Sequence, residues 1–257
     1  MENSSKPIVI SIAGFDTSAG AGTLADIKTF ENTGTYGIAV ITAYTLQTEH
    51  LFEKISWRKN SHIIHEITFL FSHYPISFAK IGITKNIQML TDIVNTLRAC
   101  NSKIKIIWDP VLYSSTGKKI FHRKNLSDTY KIIDKIYCIT PNYEEALTLS
   151  QTDSLIDAGM FLAKYTNVII KGGHHSTNKG TDYLFKHNCK TPIEIPPQSS
   201  QPIYPKHGSG CVFSSAITSY LALNYSLKQS ALLAKKYTEK FLSSHPSLLG
   251  YHHNFDT

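Results

Sequence analysis

Nothing in the 257-residue sequence approaches the uninterrupted apolar run of roughly 20 residues that a bilayer-spanning helix needs; stretches such as Ile38 to Ala43 stop far short. No membrane partner is expected. Cysteine is scarce and scattered: Cys100, Cys138, Cys189 and Cys211 form no CxxC pair, so the spacing suggests neither a disulfide framework nor a structural zinc site. Near the N-terminus one lysine, Lys6, precedes Pro7 and a short apolar run that passes into a glycine-rich loop carrying Asp16. Neither a signal-peptide core nor a small-residue cleavage site is evident there, so the expected location is cytoplasmic.

Charged residues make up only 18% of the chain, yet their balance is +7. The lysines are spread out, with no groove-reading motif and no paired RNP-like aromatic segments, so nucleic acid is not an expected partner. A nucleotide or a phosphorylated substrate accounts for a positive surface.

What the sequence does hold is enough apolar material, 42%, to bury the core of one α/β domain. We expect a single domain over residues 1–257, with its core at about 8–242 and a tail at 243–257 that packs loosely. Ile8 to Ala13 reads as a buried strand and Leu24 to Thr33 as a helix. The alternation continues through strands at Gly37 to Thr42, Phe78 to Ile81, Ile104 to Trp108, Tyr137 to Thr140, Val168 to Ile170 and Thr181 to Phe185. Helical spacing recurs over Ser61 to Phe71, Ile87 to Cys100, Tyr143 to Leu149 and Asp153 to Tyr165, while Asn125 to Ile133 leads into the strand at Tyr137. Two amphipathic helices, Cys211 to Leu223 and Leu227 to Leu242, close the pattern, whereas His50 to Trp57 shows none. Strands alternating with helices predict a three-layer α/β/α sandwich around a mostly parallel sheet.

In such folds ligands bind at the carboxyl ends of the strands, where the loops bearing Asp109, Asn142 and Lys171 are expected to meet. The strongest local signal is Lys206-His207-Gly208-Ser209-Gly210-Cys211 running into a helix. Glycines let several amides point inward, and the unpaired donors of a first helical turn attract phosphate oxygens. The same setting is expected to lower the thiol pKa of Cys211, so that it accepts a proton from an attacking hydroxyl. The competing view is a tight turn with Cys211 packed inward. The loop from Gly14 to Gly22 has neither dinucleotide-fingerprint spacing nor a Gly-Lys-Ser/Thr ending. Its glycines allow a ligand to approach, and Asp26 is placed either at the floor of a pocket or as a first-turn acid. Lys171-Gly172-Gly173 puts a cation after a buried strand, and Asp109-Pro110 and Pro141-Asn142 with Glu144 and Glu145 supply oxygen ligands suited to Mg²⁺, or else simply mark turns and a helix start.

Taken in order, IAGFDTSAGAGTLADIKTF, YGIAVITAYTLQT, KIGI, WDPVLYSSTG, ITPNYEEA, VIIKGGH and HGSGC resemble the hydroxymethylpyrimidine and phosphomethylpyrimidine kinases of thiamine biosynthesis, within the ribokinase-like fold. The resemblance spans about residues 8 to 242. It implies ATP-dependent phosphorylation of 4-amino-5-hydroxymethyl-2-methylpyrimidine and of its monophosphate, with Mg²⁺, in a homodimer. By the same resemblance Gly14, Asp26, Gln47 and Ile83 border the aminopyrimidine, Cys211 is the active-site cysteine, and Gly208, Ser209, Gly210 and Cys211 form the anion hole. Asp109 and Glu145 organise the metal, and Asn142, Lys171 and Gly173 attend the ATP phosphates.

The chain departs from the family pattern in several places: Phe15 stands for serine, Thr17 for proline, Ala19 for glycine, Thr48 for asparagine, Ile83 for methionine and Ser115 for lysine. Those around the ring pocket leave two alternatives, a pyridoxal or pyridoxine kinase and a nonenzymatic pyrimidine- or nucleotide-binding regulator.

Overall fold

The computed structural model describes residues 6–113, 117, 120–121, 126–172 and 180–252. Ser115 and Gly173 therefore lie outside the described residues. The chain begins with β1 (Ile8–Asp16), α1 (Gly22–Asn32), β2 (Tyr36–Gln47), β3 (Phe52–Trp57), α2 (Asn60–His73) and β4 (Phe78–Ile81). It continues with α3 (Ile87–Cys100), β5 (Lys105–Trp108), α4 (Leu126–Ile133), β6 (Cys138–Ile139), α5 (Tyr143–Ser150), α6 (Leu155–Leu162) and β7 (Asn167–Ile170). Strands β8 (Asp182–Phe185) and β9 (Ile193–Ile195) and helices α7 (Ser209–Ala222) and α8 (Leu227–Ser243) complete it. These form one sheet in the order β3-β2-β1-β4-β5-β6-β7-β8-β9, parallel from β2 to β7 and antiparallel at both edges. The mostly parallel three-layer architecture expected from the alternation is what the chain adopts.

Side-chain alternation assigns each strand's residues to two cores. Ile10, Ile12, Ile106, Trp108, Val168 and Ile170 pack on the layer of α2 to α6, while Ile107, Cys138 and Ile169 face α7 and α8. Helix starts follow local chemistry: the Asn86 side chain accepts from the Met89 amide, and Asn142 with Glu145, and Ser226 with Gln229, form reciprocal capping boxes. No helix among the described residues is long and apolar enough to cross a membrane.

Three elements differ from expectation. Phe52–Trp57 is an edge strand, β3, whose residues are half-buried or exposed, so no apolar period marks it. Helix α7 is not amphipathic, because it is enclosed by α1, α8 and the sheet; its buried hydroxyls find partners instead, with Thr33 donating to Ser219 at 2.6 Å. The tail is tied down through residue 248, since the Lys206 ammonium donates to the carbonyls of His245 and Ser247 and the His207 amide to that of Leu248.

Candidate active site

The carboxyl ends of the parallel strands open into a cavity of about 450 Å³. One wall is built by β1, β2 and the loop after β4, which bring Gly14, Asp16, Thr45, Gln47 and Ile83 to its surface. Asp109 after β5, Asn142 and Glu145 after β6, and Lys171 after β7 form the opposite wall. Gly208, Ser209, Gly210 and Cys211 at the start of α7 lie between the two. Eleven of the thirteen residues singled out from the sequence thus line one space: these four, together with Gly14, Gln47, Ile83, Asp109, Asn142, Glu145 and Lys171.

Asp26 does not line it. The carboxylate is fully buried one layer beneath, receiving hydrogen bonds from Ser11 at 2.5 Å and Ser215 at 2.7 Å and from Lys80 at 2.9 Å to each oxygen. With both oxygens engaged, Asp26 anchors Lys80, and it is Lys80 that borders the cavity. Burial disfavours the Lys80 charge, but Asp26 together with Cys211 and Asp109 outweighs it and raises the ammonium pKa above the ordinary lysine value. Sequence reading missed Lys80, although one lysine inside the apolar strand FAKI is itself a signal: a buried ammonium requires a partner.

The start of α7 is pinned by a contact that glycine alone permits. Gly208, at the N-cap, has φ +76°, and a Cβ there would lie 2.0 Å from the carbonyl oxygen of Gly20. A second bridge joins the same two loops. The buried His207 Nε2 lies 2.8 Å from Asp16 Oδ2, and Asp16 also accepts from the Ser18 and Ala21 amides at 2.9 and 2.8 Å. Burial raises the Asp16 pKa, but the His207 and Ser18 hydrogen bonds hold it below the usual carboxylate value. No capping side chain covers the first turn of α7, so its amides face the cavity as anion donors.

Burial pushes the Cys211 thiol up to about 11, against the pull of Lys80 and a Gly22 backbone hydrogen bond; Asp109 and Asp26 add to the rise. This corrects the expectation of a lowered pKa: low dielectric and two carboxylates outweigh the helix terminus. The sulfur is a neutral thiol at pH 7 in this state.

Against the first turn of α7, Lys171 Nζ donates to Asp109 Oδ1 at 2.9 Å. Burial disfavours the ammonium, but Asp109 and Glu145 raise its pKa above the ordinary value. Glu145 is pushed up to about 7 by burial and Asp109, with Lys171 opposing. Its Oε2 accepts from the Asn142 amide at 2.8 Å and its Oε1 from the Leu112 amide at 3.4 Å. Two carboxylates beside a lysine suit a hydrated divalent cation that keeps most of its waters and is held jointly with phosphate oxygens. No cluster of three or more His, Cys, Asp or Glu ligands occurs among the described residues.

The phosphomethylpyrimidine kinase family model matches residues 16–256. A hydroxymethylpyrimidine/phosphomethylpyrimidine kinase of Aquifex aeolicus is 33% identical over 247 residues, covering 92% of each chain. Among solved structures, a phosphomethylpyrimidine kinase from Clostridium difficile 630 superposes with a TM-score of 0.76 at 32% identity, over 91% of this chain and 98% of that one. A pyridoxal kinase from Staphylococcus aureus superposes with a TM-score of 0.81 at 26% identity, over 98% and 95%.

Proposed function

Since this chain belongs to the phosphomethylpyrimidine kinase family and is therefore an ATP-dependent small-molecule kinase, we propose that it phosphorylates the primary alcohol of 4-amino-5-hydroxymethyl-2-methylpyrimidine and then the resulting monophosphate. The observation that carries this reading is the single cavity in which a ring-sized wall, Gly14, Gln47 and Ile83, faces Cys211 and the amides of α7.

Mg-ATP supplies the transferred phosphoryl group and the charge neutralisation that in-line transfer requires. The chain's own residues position and stabilise. The amides of Gly208 to Cys211 receive phosphate oxygens, and Lys171 adds a cation beside the first turn of α7. Asp109 and Glu145 would hold the hydrated cation, and Asn142 borders the phosphates beside them. Gln47 orients the ring so that its hydroxymethyl group reaches Cys211. Phosphoryl transfer passes through a loose transition state, so the alcohol needs alignment more than early deprotonation. A neutral Cys211 thiol meets that need by contacting the hydroxyl, whose proton passes late to an oxygen of the transferred phosphoryl group and then to solvent, with the Lys80 ammonium nearby to stabilise the negative charge.

ADP release should be measured with purified protein, Mg-ATP and, separately, hydroxymethylpyrimidine, its phosphate, pyridoxal and pyridoxine. Stimulation by the two pyrimidines is expected, and stimulation by none of the four would overturn the reading. The likeness to the Staphylococcus aureus pyridoxal kinase supports a second reading, which turnover of pyridoxal alone would favour.

A further inference from the structure

We infer that Thr45 and Thr17 are positioning residues that fix Gln47 in one orientation, turning its amide into a reader of an adjacent donor and acceptor on the substrate ring. The inference rests on the reading above that the ring binds against Gln47. Thr45 is buried on β2, and its hydroxyl donates to the carbonyl of Phe15 at 2.9 Å. A hydroxyl has one proton, so with that proton used the Thr45 oxygen is left only to accept. What it accepts from is Gln47 Nε2, at 2.8 Å. The reverse orientation would set two acceptors against each other, so the direction of the Gln47 amide follows from the proton count.

The backbone of Gln47 is held as well. Thr17 Oγ1 donates to the Gln47 carbonyl at 2.7 Å and accepts from the Gln47 amide at 3.1 Å. A proline at position 17, the residue usual in the family this sequence resembles, has no group to make either bond. The departure at Thr17 therefore brings a clamp with it. Among the described residues no hydrogen bond reaches Gln47 Oε1, and only one of the two Nε2 protons is used.

An amide held this way offers one acceptor and one donor side by side. That is the complement of a 4-aminopyrimidine edge, whose amine donates beside a ring nitrogen that accepts; carboxamides read the same pairing on adenine. A pyridoxal ring nitrogen is flanked by a methyl group and a C–H, so its edge matches at most one of the two.

The test compares wild type with Thr45→Val and Thr45→Ser in the ADP-release assay, using hydroxymethylpyrimidine and pyridoxal as probes and thermal denaturation as the check on folding. Valine removes the acceptor that orients the amide, and KM for the pyrimidine should rise about three- to tenfold, the value of one hydrogen bond. Expected along with it are an unchanged kcat, a KM for pyridoxal that moves less, and recovery of the wild-type KM in the serine variant. An unchanged pyrimidine KM in Thr45→Val, an equal shift for both rings, or a loss that serine does not restore would each overturn the inference while leaving the proposed substrate standing. Wild-type turnover of pyridoxal alone would overturn the substrate and the inference with it.

Discussion

Replacing Gly208 by alanine should separate the two loops that enclose the cavity. The left-handed backbone there costs an L side chain about 1–2 kcal/mol. The new Cβ would lie 2.0 Å from the Gly20 carbonyl oxygen and 2.8 Å from Ala21 Cα, both backbone, so no side chain can swing away to relieve the clash. One loop must retreat by about 1 Å, and misplacement on that scale costs about 100-fold in rate. We therefore expect kcat/KM in the ADP-release assay to fall by about two orders of magnitude. For a chain of this size the strain corresponds to a fall in Tm of about 2–8 °C. Gly210→Ala is the control: its Cβ would meet Lys171 Nζ at 3.1 Å and Asp109 Oδ2 at 3.7 Å, the ends of side chains. Alanine in a helix is favoured over glycine by up to about 1 kcal/mol, so Tm should hold or rise while activity falls because the methyl group stands among the ligand-facing groups. Native rate and Tm in Gly208→Ala, or equal losses of Tm in both variants, would refute the argument.

Three more outcomes are expected. Cys211→Ala should lower kcat at least tenfold, roughly the value of one lost transition-state contact, with Tm and the KM for ATP little changed; a large fall in Tm with normal turnover would mark the residue as packing only. Lys80→Met strands the Asp26 carboxylate and should cost about 3–5 kcal/mol in chemical denaturation, a typical loss for a broken buried pair; a loss within the range of surface substitutions would contradict the buried pairing. Glu145 has a folded-state pKa of about 7 against 4.5 in its unperturbed state, so the folded protein binds the proton more tightly. Its contribution is fully present below pH 4.5 and lost as pH rises to 7, so Tm without ligands should decline across that window, and Glu145→Gln should flatten the decline. A slope identical to wild type would show that Glu145 is not the titrating group.

The layered fold was readable because each buried strand announces itself as a β-branched run and each flanking helix by its spacing, as in IVISIA and in Leu90, Ile93, Val94 and Leu97 of α3. Strand β3 escaped because both its faces meet solvent in part, leaving no period to read. The lining of the cavity was legible where chemistry is local, in the glycines before Cys211 and in the acids after β5 and β6. Pairings between distant residues left less trace. Asp26 was assigned to the ligand because its partner, Lys80, lies 54 residues on, and the shared burial that joins them exists only after the sheet forms. The thiol of Cys211 was misjudged for a related reason, since a helix terminus is visible in sequence and the carboxylates and low dielectric around it are not.

The bridge between Asp16 and His207 spans 191 positions of chain. A ribosome must therefore have added those 191 residues after the first loop before that loop can meet its partner. A ligand that needs both loops binds only after they have met, so its binding energy adds to the stability of the joined state.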